Sequence, residues 1–275
     1  MSGPSESIFA WEPLTPRGIA AFARAGFKRL LLVQFIVALL AAGTIVWFID
    51  NNCFPVITAA IQKLPAAGEI HTGQLDWPGR SPELLAQGHF LALDVDLDHS
   101  GQMGPTSDVQ IEFGRKTVWV SSLLGYLEWN YPSDYVIAFN RPGLEPQWGA
   151  WAMELLLMAM AAGTVCLLLS WSLLATVYFL PIWFLGFFAN RDLNLRQSWR
   201  LAGAALMPGA LLMVAAVLLY NFGFLDLVSF AFAFAAHFVM GWIYQFVSLL
   251  FLPGLPAQKR NPFGTKSKRT LNPFR

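Results

Sequence analysis

Long apolar stretches alternate with polar ones along this chain of 275 residues. Residues 30–49 are apolar except for Gln34 and Thr44, and further apolar stretches cover residues 150–188, 202–220 and 227–252. A helix needs about 20 apolar residues to cross the roughly 30 Å of hydrocarbon in a bilayer. The pattern therefore predicts an α-helical membrane protein with four transmembrane helices.

The second apolar stretch is nearly twice as long as one crossing requires, so it fits either one long helix or two spans. Basic residues distinguish the two, because Lys and Arg in short loops favour the cytosolic side. Arg191, Arg196 and Arg200 follow the stretch, and other basic residues precede residue 30. One crossing from about residue 151 to 174, continued by an aromatic interfacial segment past Pro181, leaves all of them in the cytosol with both termini.

These spans divide the chain into seven predicted segments. In chain order they are a cytosolic lead-in with an amphipathic interfacial helix (1–29), transmembrane helix 1 (30–50), an extracytosolic domain (51–150), transmembrane helix 2 with its interfacial extension (151–188), a basic cytosolic loop (189–201), transmembrane helices 3 and 4 (202–252) and a basic cytosolic tail (253–275).

A short helix is predicted before the first span. Thr15 followed by Pro16 is typical of a helix N-cap and first helical position. Apolar residues recur at helical spacing over residues 19–30 with basic residues on the other side, which is typical of an amphipathic helix on an anionic membrane surface. A plain extension of the first span is the alternative. Small residues at 38–43 resemble a signal-peptide cleavage region, but the apolar run continues beyond them, which favours an uncleaved anchor.

Residues 51–150 read as a small aqueous domain, with 11 acidic and 5 basic side chains and many prolines and glycines. Alternating apolar and polar residues predict strands at 91–97, 109–113 and 117–120. Gly114-Arg115 suits a tight hairpin between the last two. Weaker candidates are strands at 69–75 and 135–139, a helical turn at 82–86 and a helix at 54–64. The domain is therefore predicted to be mainly β, with antiparallel strands.

The alternating aspartates of the first strand, Asp94, Asp96 and Asp98, resemble the start of a calcium-binding loop. The sixth position of that template is His99 instead of glycine, and the twelfth is Pro105 instead of glutamate. We therefore interpret the aspartates as the solvent-facing side of the strand.

No motif of a catalytic site occurs in the sequence. It contains no glycine-rich phosphate loop, no hydrolase nucleophile elbow and no zinc-protease helix. Cys53 and Cys166 lie at different depths and are not expected to form a disulfide. The histidines lack the spacing of a metal-binding helix; they are His71, His89, His99 and His237. We therefore expect that the protein is not an enzyme and that it binds no metal and no cofactor.

Two other sets of residues are candidates for binding. In the fourth span, one helical face carries a polar stripe that consists of His237, Gly241, Gln245 and Ser248. The stripe either marks a functional pathway or forms a hydrogen-bonded seam between helices. In the tail, two basic stretches each end in Asn-Pro-Phe. Their basic residues are candidate contacts for lipid headgroups or a protein partner, unless positive-inside bias alone explains them; they include Lys259, Arg260, Lys266, Lys268 and Arg269.

Composition supports the membrane interpretation. Hydrophobic residues make up 56% of the chain and charged residues only 13%, against roughly 25% charged in soluble domains. The net charge of +1 conceals an acidic middle and a tail with 6 basic and no acidic residues from position 257 onwards. We expect membrane lipids and a protein as partners, and no nucleic acid.

Several short motifs resemble those of an uncharacterised family of bacterial polytopic membrane proteins, some of whose members are annotated beside maltodextrin-utilisation genes. The motifs are Leu64-Pro65 before Gly73-Gln74-Leu75, Leu91-Ala92-Leu93-Asp94, Tyr131-Pro132, and Ser198-Trp199-Arg200-Leu201-Ala202 leading to Met207-Pro208. The resemblance covers most of the chain in layout and implies a bacterial inner membrane. It implies no catalytic residues.

Three classes of function fit these features: an accessory, assembly or sensing protein, a small-solute transporter and a membrane enzyme. A transporter is typically built from more spans, repeats or broken helices with charged midplane residues, and an enzyme from clustered carboxylates or histidines near one membrane face. We therefore expect a non-enzymatic membrane protein whose extracytosolic domain contacts a partner or ligand. A transporter that uses the polar stripe is the alternative.

Overall fold

The structure is a computed structural model that describes residues 11–102, 104 and 106–255. Its helices are α1 (Pro16–Phe22), α2 (Phe27–Asn52), α3 (Phe54–Lys63), α4 (Arg141–Phe188), α5 (Leu195–Ala204), α6 (Met207–Asn221) and α7 (Leu227–Leu250). Its strands are β1 (Glu69–His71), β2 (Gln74–Asp76), β3 (Glu83–Gln87), β4 (Leu91–Val95), β5 (Val109–Phe113), β6 (Thr117–Ser122), β7 (Gly125–Asn130) and β8 (Ile137–Ala138).

Within the described part of the chain, four helical segments are long and apolar enough to cross a membrane, and the strands lie between the first and the second of them. This confirms the predicted number of apolar helices and the position of the β region. The segments are Phe27–Lys63, Arg141–Phe188, Leu195–Asn221 and Leu227–Leu250.

The second and third of these segments differ from the prediction in detail. α4 continues through Pro181 as one helix, so the predicted interfacial extension is part of the same helix. The third segment begins at Leu195 and is interrupted between Ala204 and Met207, whereas an uninterrupted helix was expected from residue 202. Pro208 has no backbone N–H and cannot continue the helical hydrogen bonding across this break. The side chain of Gln34 donates to the Gly203 carbonyl beside this break at 3.1 Å.

The described residues form two compact units, and helices pass from one into the other. The first unit draws on residues 11–41, 164–215 and 232–255. In it α1 starts at the predicted cap, where the Thr15 hydroxyl accepts a hydrogen bond from the Gly18 N–H at 3.0 Å. α1 packs against α5, and Ile19 and Phe22 are fully buried in the protein. Protein side chains therefore cover these two apolar residues of the helix, and its placement at a membrane surface stays a prediction.

The second unit contains residues 42–163 and 216–231 and holds both sheets. The larger sheet has the order β3-β4-β5-β6-β7, and the smaller one has the order β2-β1-β8. The backbone N–H of Leu75 donates to the Arg115 carbonyl at 2.8 Å and joins the two sheets. Apolar residues of α3 and of one face of each sheet pack together as the core of this unit, among them Val56, Leu85 and Leu93.

The strand predictions are largely confirmed. β4, β5 and β6 and the hairpin at Gly114 occur as expected, and so do α3 and the short strands β1, β2 and β8. All pairings are antiparallel except that of β4 with β5, which is parallel. The predicted helical turn at residues 82–86 is wrong, since residues 83–86 belong to β3, where pairing with β4 decides their conformation.

Candidate functional site

One face of the larger sheet carries buried polar side chains. The parallel register places Asp94 opposite Glu112 and Ala92 opposite Gln110. Because side chains alternate along a strand, the polar residues share one face and the apolar residues between them point into the core. Asp94 and Asp96 are almost completely inaccessible, and Gln110 and Glu112 are buried as well. The prediction that Asp94 and Asp96 face solvent is therefore wrong.

The loop between β4 and β5 bonds to this polar face. The Asp96 carboxylate accepts hydrogen bonds from the backbone N–H and the hydroxyl of Ser100, each at 2.7 Å. The His99 ring bonds to the Glu112 carboxylate and stacks on Trp119, with 4.3 Å between ring centroids. His99 also has φ of +49°, which is uncommon for a residue other than glycine. These contacts hold the loop in place and explain why the carboxylates are covered.

Burial changes the acid–base behaviour of this face. Desolvation is the main cause that raises the pKa of Asp94 to about 6, and repulsion from Glu112 and Asp96 raises it further. The hydrogen bond from Gln110 acts in the opposite direction and lowers this pKa. The hydrogen bond to Glu112 raises the pKa of His99. One Asp94 oxygen accepts from Gln110 at 3.0 Å, and the other has no partner among the described residues. Burial and hydrogen bonding thus favour the protonated forms of Asp94 and His99 on this face.

Metal binding has no geometric support in the part of the chain that the structure describes, where no three His, Cys, Asp or Glu side chains converge on one point. Asp98 lies apart from the buried pair and bonds to Arg115 at 3.2 Å in an exposed position. His71 and His89 lie elsewhere in the domain, His71 beside Glu69 and His89 against Phe90. The histidines of the domain are therefore not brought together.

Sequence reasoning missed Glu112, Gln110 and Trp119 as members of this cluster. A signal was present, since Gln110 and Glu112 alternate with apolar residues as Asp94 and Asp96 do. Two strands with the same alternation can place their polar sides together, but only if they are neighbours in register. That pairing is parallel and depends on the loop at residues 96–108, which carries no helical pattern.

The second feature of the domain is an exposed apolar surface at its outermost hairpin. We call it the hairpin surface, and its residues are Leu123 (73% exposed), Leu124 (69%), Tyr126 (67%), Leu127 (59%) and Trp129 (53%). β7 pairs with β6 on one side only and lies at the edge of the sheet. Leu127 and Trp129 pair with Val120 and Val118, so they continue the apolar face of the sheet beyond the core that covers it. The hairpin surface therefore combines uncovered side chains with a free strand edge.

The polar stripe lies in the first unit and is only partly buried. Gln245 and Ser248 are almost completely inaccessible, and their side-chain polar atoms have no hydrogen-bond partner among the described residues. Gly241 is buried beside the Ala205 carbonyl at the break between α5 and α6. The ring of His237 is half-buried and contacts the Phe234 carbonyl and the ring of Phe238 on its own helix. Three members of the stripe are thus buried in the protein, and the ring of the fourth, His237, is half-buried.

The predicted contacts of the tail lie outside the described residues. They are Lys259, Arg260, Lys266, Lys268 and Arg269.

These features define a class of protein: a helical protein with four membrane-length apolar segments and an inserted β domain that carries a buried acidic cluster and an exposed apolar edge. Comparison with family models, with curated proteins and with solved structures finds no match for the chain.

Proposed function

We propose that this chain is a non-enzymatic integral protein of a bacterial inner membrane, in which both termini are cytosolic and the β domain lies outside the cytosol. Its role would be that of an accessory, assembly or sensing component whose β domain binds a protein partner. The observation that carries this proposal is the hairpin surface. An exposed edge strand with large apolar side chains is a template for pairing with another chain, and soluble proteins normally protect such edges with charges, proline or a covering element.

The chemistry of the hairpin surface favours a partner that adds a strand to β7. Such a strand bonds to the free backbone groups of the edge, while its side chains pack on alternate residues. The apolar face would accept aromatic or aliphatic side chains beside Leu127 and Trp129.

The charge of the domain favours a different protein over a second copy of this chain. Residues 51–150 carry 11 acidic and 5 basic side chains, so two copies would repel each other. A basic partner would instead be attracted to the domain over long range, and its binding would weaken as salt is raised.

Site-specific photocrosslinking in living cells tests the proposal. A benzophenone amino acid is placed at Leu124, Leu127 or Trp129 in the full chain, and the matched control is Gln74, an exposed position on the edge strand β2. We expect one protein adduct of defined mass from the three hairpin positions and none from Gln74. The adduct should also disappear when Leu127→Ser and Trp129→Ser are combined in a chain labelled at Leu124.

Three results would contradict the proposal. A product of twice the mass of the chain would identify a second copy as the occupant. Equal crosslinking from Gln74 would indicate unspecific encounters, and the absence of any protein adduct from all three hairpin positions would leave no partner there.

Transport of a small neutral solute is the second candidate function. The observation that favours it is the broken third helix beside Gly241, together with the buried and unpartnered Gln245 and Ser248, since discontinuous helices in transporters form substrate sites. Swelling of proteoliposomes in isosmotic glycerol or maltose tests this function. Transport predicts solute-dependent swelling that Gln245→Leu abolishes, whereas equal swelling of protein-free liposomes would rule it out for these solutes.

A further inference from the structure

The end of α4 and the start of α5 line a shallow, open pocket of about 560 Å³ in the first unit. Its lining residues are Trp183, Leu193, Asn194, Leu195 and Arg196. Pockets that hold organic ligands have volumes of about 300–1,000 Å³ and are mainly apolar with a few polar groups. The volume of the pocket lies within that range, and its lining combines an indole and two leucines with an asparagine and a guanidinium.

The pocket is held by a firmly bonded turn. α4 ends where Asn190 adopts φ of +53°, and the Arg191 N–H then bonds to the Gly186 carbonyl at 2.8 Å. Gly186 lets the chain return closely, because a Cβ there would lie 3.0 Å from a methyl carbon of Leu193. The Asp192 N–H donates to the Pro253 carbonyl at 2.9 Å. Asn194 then caps α5 through a reciprocal pair of bonds with Gln197. The lining side chains are therefore attached to a fixed backbone.

Arg196 differs from the basic residues nearest to it in sequence. Arg191 donates to the Leu252 carbonyl at 2.7 Å, and Arg200 donates to the Ala25 carbonyl at 2.8 Å. Arg196 is exposed and has no acidic or hydrogen-bonding partner among the described residues. Its guanidinium is thus available to an anion, and its planar fork matches two oxygens of a phosphate group.

We propose that this pocket binds one anionic phospholipid, with the lipid phosphate on Arg196 and the first part of an acyl chain against Trp183, Leu193 and Leu195. The setting supports a lipid over a soluble phosphate ester, because α4 reaches the pocket with a run of exposed aromatic residues that includes Phe184 and Phe188. Aromatic side chains of this kind concentrate at the boundary between hydrocarbon and headgroups. Basic pockets between transmembrane helices are known sites for anionic headgroups. The inference rests on the proposed membrane location but not on the proposed protein partner.

Native mass spectrometry of the full chain in a mild, delipidating detergent tests the proposal. Dioleoylphosphatidylglycerol and dioleoylphosphatidylcholine are titrated separately, and the affinity of the first bound lipid is measured for the wild type, Arg196→Gln and Lys28→Gln. Lys28 is the control, because it is an exposed basic residue of the same unit that does not line the pocket. We expect the wild type to prefer phosphatidylglycerol, and Arg196→Gln to weaken that lipid about tenfold, which is the loss of one charged contact.

The same titration distinguishes the alternatives. Lys28→Gln should leave the first affinity unchanged, and Trp183→Ala should weaken both lipids, because the acyl chain is common to them. Equal loss in the Arg196 and Lys28 variants would show unspecific attraction to surface charge and would overturn the proposal. So would an unchanged affinity in Arg196→Gln, or full displacement of phosphatidylglycerol by millimolar inorganic phosphate, which would define a phosphate site.

An unchanged melting temperature of Arg196→Gln would show that the variant is folded. Failure of the photocrosslinking test would leave the lipid result unaffected.

Discussion

At the residue scale, Asp94 is the group whose ionisation opposes folding. Its pKa is raised to about 6 by burial, whereas an unfolded aspartate has a pKa of about 3.9. The folded chain therefore binds more protons than the unfolded chain between these values. The stability that Asp94 contributes is fully present below about pH 4 and is lost as the pH rises through about 6.

We predict that Asp94→Asn stabilises the full chain in detergent at about pH 7.5, by about 1–3 kcal/mol, because asparagine keeps the contact with Gln110 without a buried charge. The gain should shrink towards about pH 5, where Asp94 is itself protonated. Thermal unfolding at several pH values measures this. Asp98→Asn is the control, since the Asp98 side chain is exposed and should show no such effect. Lower stability of Asp94→Asn at neutral pH would contradict the assignment of a buried, destabilising charge.

His99 should act in the same direction as Asp94. Its pKa is raised by Glu112, so its contribution to stability is present below about pH 6.5 and is lost as the pH rises through the folded value. Both residues therefore make the wild-type chain more stable in mild acid.

The sequence pattern correctly predicts that Asp94, Asp96 and Asp98 alternate with apolar residues, because side chains alternate along any strand. It does not tell which of the two faces is covered. Asp96 is buried under the loop that follows it, in which Ser100 donates to its carboxylate, and Asp94 is buried against Gln110 of β5, whereas Asp98 lies beyond the end of β4. Burial of a polar side chain depends on tertiary packing, and the local alternation of residues does not predict it.

At the element scale, the contact between α6 and α7 depends on a glycine. A Cβ on Gly209 would lie 2.7 Å from the His237 carbonyl oxygen, which is a backbone atom. A Cβ on Gly241, about one turn further along α7 from His237, would lie no closer than 3.6 Å to its nearest neighbour. The two glycines thus offer a matched comparison of tight and ordinary packing.

We predict that Gly209→Ala lowers the melting temperature of the full chain in detergent, corresponding to a loss of about 1–3 kcal/mol from overpacking. Gly241→Ala should leave it nearly unchanged. Differential scanning fluorimetry of both variants under identical conditions measures this. Equal melting temperatures would mean that α6 and α7 do not approach each other at Gly209.

Elements whose type follows from length or local chemistry were predictable from the sequence. Bilayer thickness fixes the length of a span, and Thr15-Pro16 caps α1 as expected. The break before α6 was missed because residues 202–220 are uniformly apolar, and Pro208 near a helix start is compatible with either arrangement. The strand β3 was missed because its conformation depends on pairing with β4 rather than on its own pattern.

At the scale of the whole molecule, two helix ends bond within the second unit. The Tyr220 hydroxyl at the end of α6 donates to the Asp108 carboxylate just before β5, and the side chain of Asn52 at the end of α2 donates to Asn221 at 2.6 Å. Phe48 and Phe90 pack with Tyr220 as an aromatic cluster. These contacts connect the β domain to the ends of two apolar helices.

We predict that Tyr220→Phe loosens the loop before β5, because the Asp108 carboxylate loses its charged hydrogen bond, worth about 1.5–3 kcal/mol. Hydrogen exchange of the full chain should become faster in the peptides that cover residues 106–113. Tyr126→Phe is the control, since the Tyr126 side chain is exposed on β7. Equal exchange in the two variants would show that the bond to Asp108 does not hold this loop.

The layout of the whole chain was predictable, and the assembly of its parts was not. Apolar length gives the four segments, and the fall in hydrophobicity gives the domain between the first two. The division into two compact units cuts through helices, so no change in composition marks it. The hairpin surface was also missed, because the exposure of Leu127 and Trp129 depends on how far the sheet extends beyond its core.

The central claim is that the β domain lies outside the cytosol while both termini lie inside it. Alkaline phosphatase folds actively only outside the cytosol, so two fusions of the full chain test the claim directly, one inserted at Gly101 in the loop between β4 and β5 and one after Arg275. The basic residues around the helix ends predict an active enzyme at Gly101 and a silent one after Arg275. An inactive fusion at Gly101 together with an active one after Arg275 would contradict this topology.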